Sequence, residues 1–161
     1  MSSAMGIFRY KNMVASYEVD VTRGVYAYSI NTYFGRLVDI LFPMLMRRVS
    51  KIIRKKFMEI EDISRVIRNI MRENKIFMEM ISKCIDEHRV ADNDVFEILS
   101  VYSLFRLFNV DIIFPILIDG MVNEIYIDGA DTKIYLDHAL FGRLMTNVAL
   151  SKDKLDALLV M

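Results

Sequence analysis

Cysteine occurs once in this 161-residue chain, at Cys84, so no disulfide can form within it and the chain reads as intracellular. Two prolines and six glycines are too few for a collagen-like or low-complexity polymer. Net charge is missing as well. The 21 Lys and Arg balance 21 Asp and Glu, which does not fit a protein held on nucleic acid by bulk charge but leaves room for a local basic patch. No stretch approaches the roughly 20 apolar residues a membrane-spanning helix needs. The longest charge-free run, Gly24 to Gly35, alternates like a strand, and Met1 to Met13 holds no apolar core of export-signal length. Apolar surface is plentiful, at 54% of residues against 26% charged. That is enough to offset chain entropy, which excludes a disordered polymer and points to one domain or two small subdomains.

Periodicity divides the chain into three segments. Tyr17 to Asp20, the turn Thr22-Arg23-Gly24, and the Tyr- and β-branched run Val25 to Asn31 predict a hairpin from about Tyr17 to Thr32. Between Arg36 and Ala91 there is no glycine and only Pro43, which is helix territory. Leu45, Val49, Ile52, Ile53, Phe57 and Ile60 form one stripe, and Ile63, Val66, Ile67, Ile70 and Met71 continue on a second. A single helix from Met44 to Arg89 would be roughly 70 Å long, so a break is expected near Glu59–Asp62 or near Arg72–Asn74, with Asp62 able to cap a new helix. Asp92 or Asn93 caps a further helix that ends near Phe108 and is apolar on most sides. Strands follow at Val122–Ile127 and Lys133–His138 around the loop Asp128-Gly129-Ala130-Asp131, with a third at Arg143–Leu150 and a Ser151-capped final helix.

Motifs of catalysis are also lacking. No phosphate-binding loop, dinucleotide-binding glycine triplet or serine-nucleophile elbow is present. Cys84 and His88, four residues apart, could in principle share a metal or form a thiolate–base pair. With no other His or Cys nearby in sequence, a buried thiol beside an interfacial His fits better. Asp137-His138 resembles part of an acid–base pair, yet neighbours on a strand point to opposite faces, so a strand-end His bonded to backbone is expected. Charge concentrates at Arg47, Arg48, Lys51, Arg54, Lys55 and Lys56, with no acid from Met44 to Met58. Such a face can lie on anionic lipid, meet an acidic partner, or simply be a solvated face over a core; it is the first choice for a partner surface. Six of the twelve methionines, among them Met44 and Met71, fall in the helical region, where core filling is their commoner use.

An ordered series in the last fifty residues carries a resemblance. It runs Pro115-Ile116-Leu117, Asp119-Gly120, Glu124-Ile125-Tyr126-Ile127-Asp128-Gly129, Ile134-Tyr135-Leu136-Asp137-His138, Phe141 to Val148, and Ser151 to Leu158. Phe105 to Val160 thereby resembles the N-terminal region of the type II/type IV secretion ATPase superfamily, most closely its archaeal branch, whose motors power secretion, pilus assembly and the archaellum. Tyr17-Glu18-Val19 and Val25 to Asn31 resemble the family's first hairpin. Ala139-Leu140 stand where the family often carries basic residues, which leaves Arg143 as the nearest candidate for a nucleotide-facing cation. The nucleotide-binding core that follows this region in the family is not in this chain.

The expected fold is α+β. Its segments are an N-terminal hairpin over 1–35, a helical region over 36–108 that makes the N-terminal half mainly helical, and a small α/β subdomain over 109–161. The resemblance implies a PAS-like shape for that last module, with the early hairpin free to join a separate small layer. It further implies a non-catalytic N-terminal module that docks a secretion or pilus ATPase onto a membrane-platform protein or cytosolic partners. That module would move against the motor domain of its own or a neighbouring subunit, in the cytoplasm and peripheral to the membrane through its partners. ATP and Mg²⁺ belong to the parent motor, no catalytic or metal residues are expected here, and a homo-hexamer is expected only with the motor present. A stand-alone adaptor or small-ligand sensor on the same scaffold is the alternative.

Overall fold

The computed structural model describes residues 6–53, 60–75, 77–79, 81–82 and 92–160, apart from the side chains of 49–53, 60–62, 64, 92 and 93. They fall into two compact units. One joins the chain up to Asn31 with Phe108 onward, and the other is Thr32–Leu107.

The first unit is built on a six-stranded sheet of β1 (Ile7–Lys11), β2 (Ala15–Asp20), β3 (Val25–Ile30), β4 (Val122–Tyr126), β5 (Lys133–His138) and β6 (Gly142–Ala149), in the spatial order β1-β2-β3-β6-β5-β4. Alternation makes these strands. In β2, buried Ala15, Tyr17 and Val19 interleave with half-buried Ser16, Glu18 and Asp20, and in β5, buried Ile134, Leu136 and His138 alternate with outward Lys133, Tyr135 and Asp137. All neighbouring pairs are antiparallel except β3–β6, which is parallel with Val25 opposite Met145 and Tyr26 opposite Thr146. This one parallel seam, reinforced by Met145 N–H donating to Gly24 O at 2.8 Å, stitches the N-terminal strands to the C-terminal ones. The early strands therefore form no separate layer. The coarse α+β class holds, but strands come first and the helices lie in the middle, so the N-terminal half is not simply helical.

Between the two groups of strands, a 3₁₀ turn at Asp111–Ile113 and the short helix α4 (Phe114–Leu117) bury Ile113, Phe114, Pro115 and Ile116. The unit closes with α5 (Lys152–Leu159), which Ser151 starts from an extended backbone; its carbonyl accepts from Leu155 N–H at 2.9 Å, and its side chain makes no cap bond.

The helical unit contains α1 (Thr32–Ile53), α2 (Ile60–Glu73) and α3 (Asp92–Leu107). Phe34, Leu37, Val38, Leu41 and Leu45 of α1 are buried. So are Ile63, Ile67, Ile70 and Met71 of α2 and Val95, Leu99, Tyr102 and Leu104 of α3. Pro43 lies inside α1 and removes the donor that would reach the Asp39 carbonyl. Arg106 of α3 braces that turn. Its guanidinium bonds the Asp39 carboxylate at 3.3 Å and lies 4.7 Å from the Phe42 ring centre. The expected break at Arg72–Asn74 is present. α2 ends at Glu73, and Asn74 Oδ1 accepts from Phe77 N–H at 3.0 Å, capping renewed helix from residue 75. The alternative break falls partly on residues 54–59, outside the described residues, and Asp62 sits within the first turn of α2 rather than at its cap.

Candidate functional site

The sheet is coiled. Four strand spacings separate β1 from β5, which is roughly 19 Å in a flat sheet. Yet the Tyr10 ring of β1 lies 5.9 Å from the His138 ring that ends β5, and Phe8 lies 5.4 Å from Phe141 in the β5–β6 turn. The inner face of β1–β3 thus closes over the other end of the sheet and encloses a row of tyrosines, with Tyr10 opposite Tyr17 and Tyr17 opposite Tyr28.

A polar network centred on Asp119 sits under this curl. Tyr10 donates its hydroxyl to Asp119 Oδ2 at 2.5 Å, Tyr26 donates to the same oxygen at 2.7 Å, and Met121 N–H donates to Oδ1 at 3.0 Å. Leu140 N–H donates to His138 Nδ1 at 3.2 Å. A neutral His138 therefore carries its proton on Nε2, which faces the Tyr10 oxygen at 3.2 Å. The relay runs from His138 through Tyr10 to Asp119. Asp119 and His138 are both almost fully buried. Tyr17 donates to Pro115 O at 3.0 Å and receives Asn12 Nδ2 at 2.8 Å, while Tyr28 donates to Ile112 O. Burial first, and the Asp119 carboxylate after it, pushes the Tyr10, Tyr17 and Tyr26 phenols well above their ordinary range. Burial also lowers the pKa of His138, against the opposing pull of Asp119. Such a set binds strands together; each of its side chains already spends its polar atoms within the unit.

On the outer face, the Tyr126 hydroxyl stands between two carboxylates, Asp137 Oδ2 at 2.7 Å and Glu124, which compete for its single proton. Arg143 lies 4.1 Å over the Tyr126 ring centre and 3.6 Å from Asp137. The Glu124 and Asp137 acceptors push the Tyr126 phenol up to about 12. Arg143 is thus held by a ring and a carboxylate on its own sheet face. Asp137 and His138 stand on opposite faces with separate partners, and His138 bonds backbone at a strand end, as strand geometry dictates. Among the described residues no group of three or more His, Cys, Asp or Glu is placed to hold a metal ion. Cys84 and His88 lie outside the described residues.

Of the basic cluster, Arg47 and Arg48 are exposed on α1, and Arg48 bonds Glu73 of α2 at 2.6 Å. Arg54, Lys55, Lys56 and the Lys51 side chain lie outside the described residues. Sequence reasoning missed Asp119, which reads there only as half of an Asp-Gly turn. The signal that could have exposed it is the density of tyrosines at inward positions of β1–β3, each needing a buried acceptor. Among the described residues no helix is long and apolar enough to cross a membrane. Comparison with protein-family models finds no match, and neither does comparison with curated proteins.

Proposed function

We propose that this chain is a non-catalytic N-terminal module of a type II/type IV secretion or pilus-assembly ATPase, docking the motor on a membrane-platform protein and moving against it as nucleotide turns over. One observation carries the reading. The ordered series that resembles the family, from Pro115 to Leu158, forms one continuous run of short helix, β4, β5, β6 and α5 in a single unit. The segments resembling the family's first hairpin, β2 and β3, belong to the same sheet. The strand-ending His138 of that series is the residue that holds the β5–β6 turn and completes the buried network. A braced sheet of this kind, PAS-like in the proposed reading, suits a rigid body that transmits motion better than a site that performs chemistry.

The test is affinity capture of the tagged full chain from its source cells after gentle detergent extraction. A membrane-platform protein and a polypeptide bearing the motor's Gly-Lys-Ser/Thr loop are the expected companions, and recovery of neither overturns the reading. Hydrolysis of ATP at a motor-like rate by the purified chain would overturn its non-catalytic part.

A further inference from the structure

The charge balance of the whole chain hides an uneven distribution. The helical unit carries 14 Lys and Arg against 11 Asp and Glu, and the sheet unit 7 against 10. Within the helical unit α2 has two opposite faces. Ile63, Ile67, Ile70 and Met71 are buried, whereas Arg65, Arg68 and Arg72 are exposed within an arc of about 60° on the other side at the helical 100° per residue. No acid occurs between Asp62 and Glu73. Glu73 itself is bonded to Arg48, which sets the basic end of α1 beside the C-terminal end of α2, where Arg72 and exposed Lys75 stand. Met46, next to Arg47 on α1, is 44% exposed.

We propose that the outer face of α2 and the turn just beyond it, where Arg68, Arg72 and Lys75 stand, is a docking surface for anionic lipid headgroups, held by charge and not by insertion. Charge complementarity selects the partner. Arg65, Arg68 and Arg72 stand along the middle of α2, with its acids Glu61, Asp62 and Glu73 confined to the two ends; such a row fits a flat sheet of negative charge, and the exposed residues of α2 include no aromatic ring on which a nucleic-acid base could stack. Insertion is excluded because the apolar face of α2 is already used in the core of its own unit. Each cation near such a surface contributes about a fivefold gain in partitioning, and the gain is screened by salt. This surface is independent of the motor reading, and either stands if the other fails.

The test is co-sedimentation of the full chain with vesicles of phosphatidylcholine plus phosphatidylglycerol and with vesicles of phosphatidylcholine alone. Binding is expected only with phosphatidylglycerol present, and it falls at least tenfold as salt is raised to about 1 M. The variant Arg68→Gln/Arg72→Gln/Lys75→Gln should lose about a hundredfold in partitioning, with Arg48 and Glu73 left intact. Its exposed positions leave the core untouched, and a circular-dichroism melt matching the parent's checks this. The single variant Arg68→Gln, expected to lose about fivefold, supplies the same measurement if the triple variant does not fold. Equal binding to neutral vesicles, binding unchanged by these substitutions, or binding to duplex DNA with none to vesicles overturns the proposal.

Discussion

Asp119 joins elements that the chain separates widely. Its carboxylate accepts from Tyr10 on β1, from Tyr26 on β3 and from the backbone just before β4. Replacing it with Ala strands the buried Tyr26 hydroxyl and the part-buried donors of Tyr10 and Met121, at about 1–3 kcal/mol for a buried donor and less for the others, so Asp119→Ala is expected to lose about 3 kcal/mol in urea denaturation. Tyr26→Phe removes one partner and leaves the carboxylate two others, so a loss near 1 kcal/mol is expected. His138 predicts a pH dependence. Its folded pKa lies below the unfolded value of about 6.5, so its contribution is whole above that pH and is lost as pH falls through the folded value. Protonation also places a hydrogen on Nδ1, where Leu140 N–H now donates. Denaturation midpoints should fall on acidification below about pH 6.5, and the slope should flatten in His138→Asn, which isolates it from His88. The buried tyrosines act at the other limit. Their raised pKa values keep stability whole below about pH 10 and withdraw it above, as phenolate absorbance and unfolding should report together.

Elements differ in how openly the sequence declares them. β5 matches its expected span because an alternating run is bounded by turn residues, and β2, β3, β4, β6 and α3 fall within a few residues of theirs. β1 was missed, since four of its five side chains are exposed and its alternation of Phe8 and Tyr10 with Arg9 and Lys11 spans only four residues. A break near Arg72–Asn74 was legible as one of two places where an over-long helical pattern must stop, but the cap expected within that pattern was Asp62, and the capping role of Asn74 came only from the structure. The β5–β6 turn offers a test. Gly142 has φ +67°, and a Cβ there would meet nothing within 4 Å, so Gly142→Ala should cost about 1 kcal/mol from the backbone alone. Gly120→Ala, equally open and without a positive φ, should be near neutral or slightly stabilising by thermal melt.

At the scale of the whole molecule, the sheet unit is discontinuous in the chain. Its core draws on Val14, Val19 and Tyr26 from one end and on Ile116, Ile134, Leu136, Leu144 and Val148 from the other. A chain in which about ten Gly and Ser residues replace Thr32–Leu107 has a linker reach of roughly 18 Å. It is expected to fold cooperatively with a β-type circular-dichroism spectrum; a non-cooperative melt would show that the sheet unit depends on the helices for its fold.

The sequence by itself determined what local physics controls: the alternation of the strands, the amphipathic helices, the need for a break in the over-long helical pattern and the concentration of positive charge around α1. Each depends on residues within one or two turns of one another. The tertiary structure decided what joins distant segments. The parallel β3–β6 seam, the curl that brings Tyr10 to Asp119 across 109 residues, and the pairing of Tyr10 with His138 across 128 exist only once the sheet has closed. A buried hydroxyl must find an acceptor, but no local rule names which one, because the partner is chosen by the path of the whole backbone.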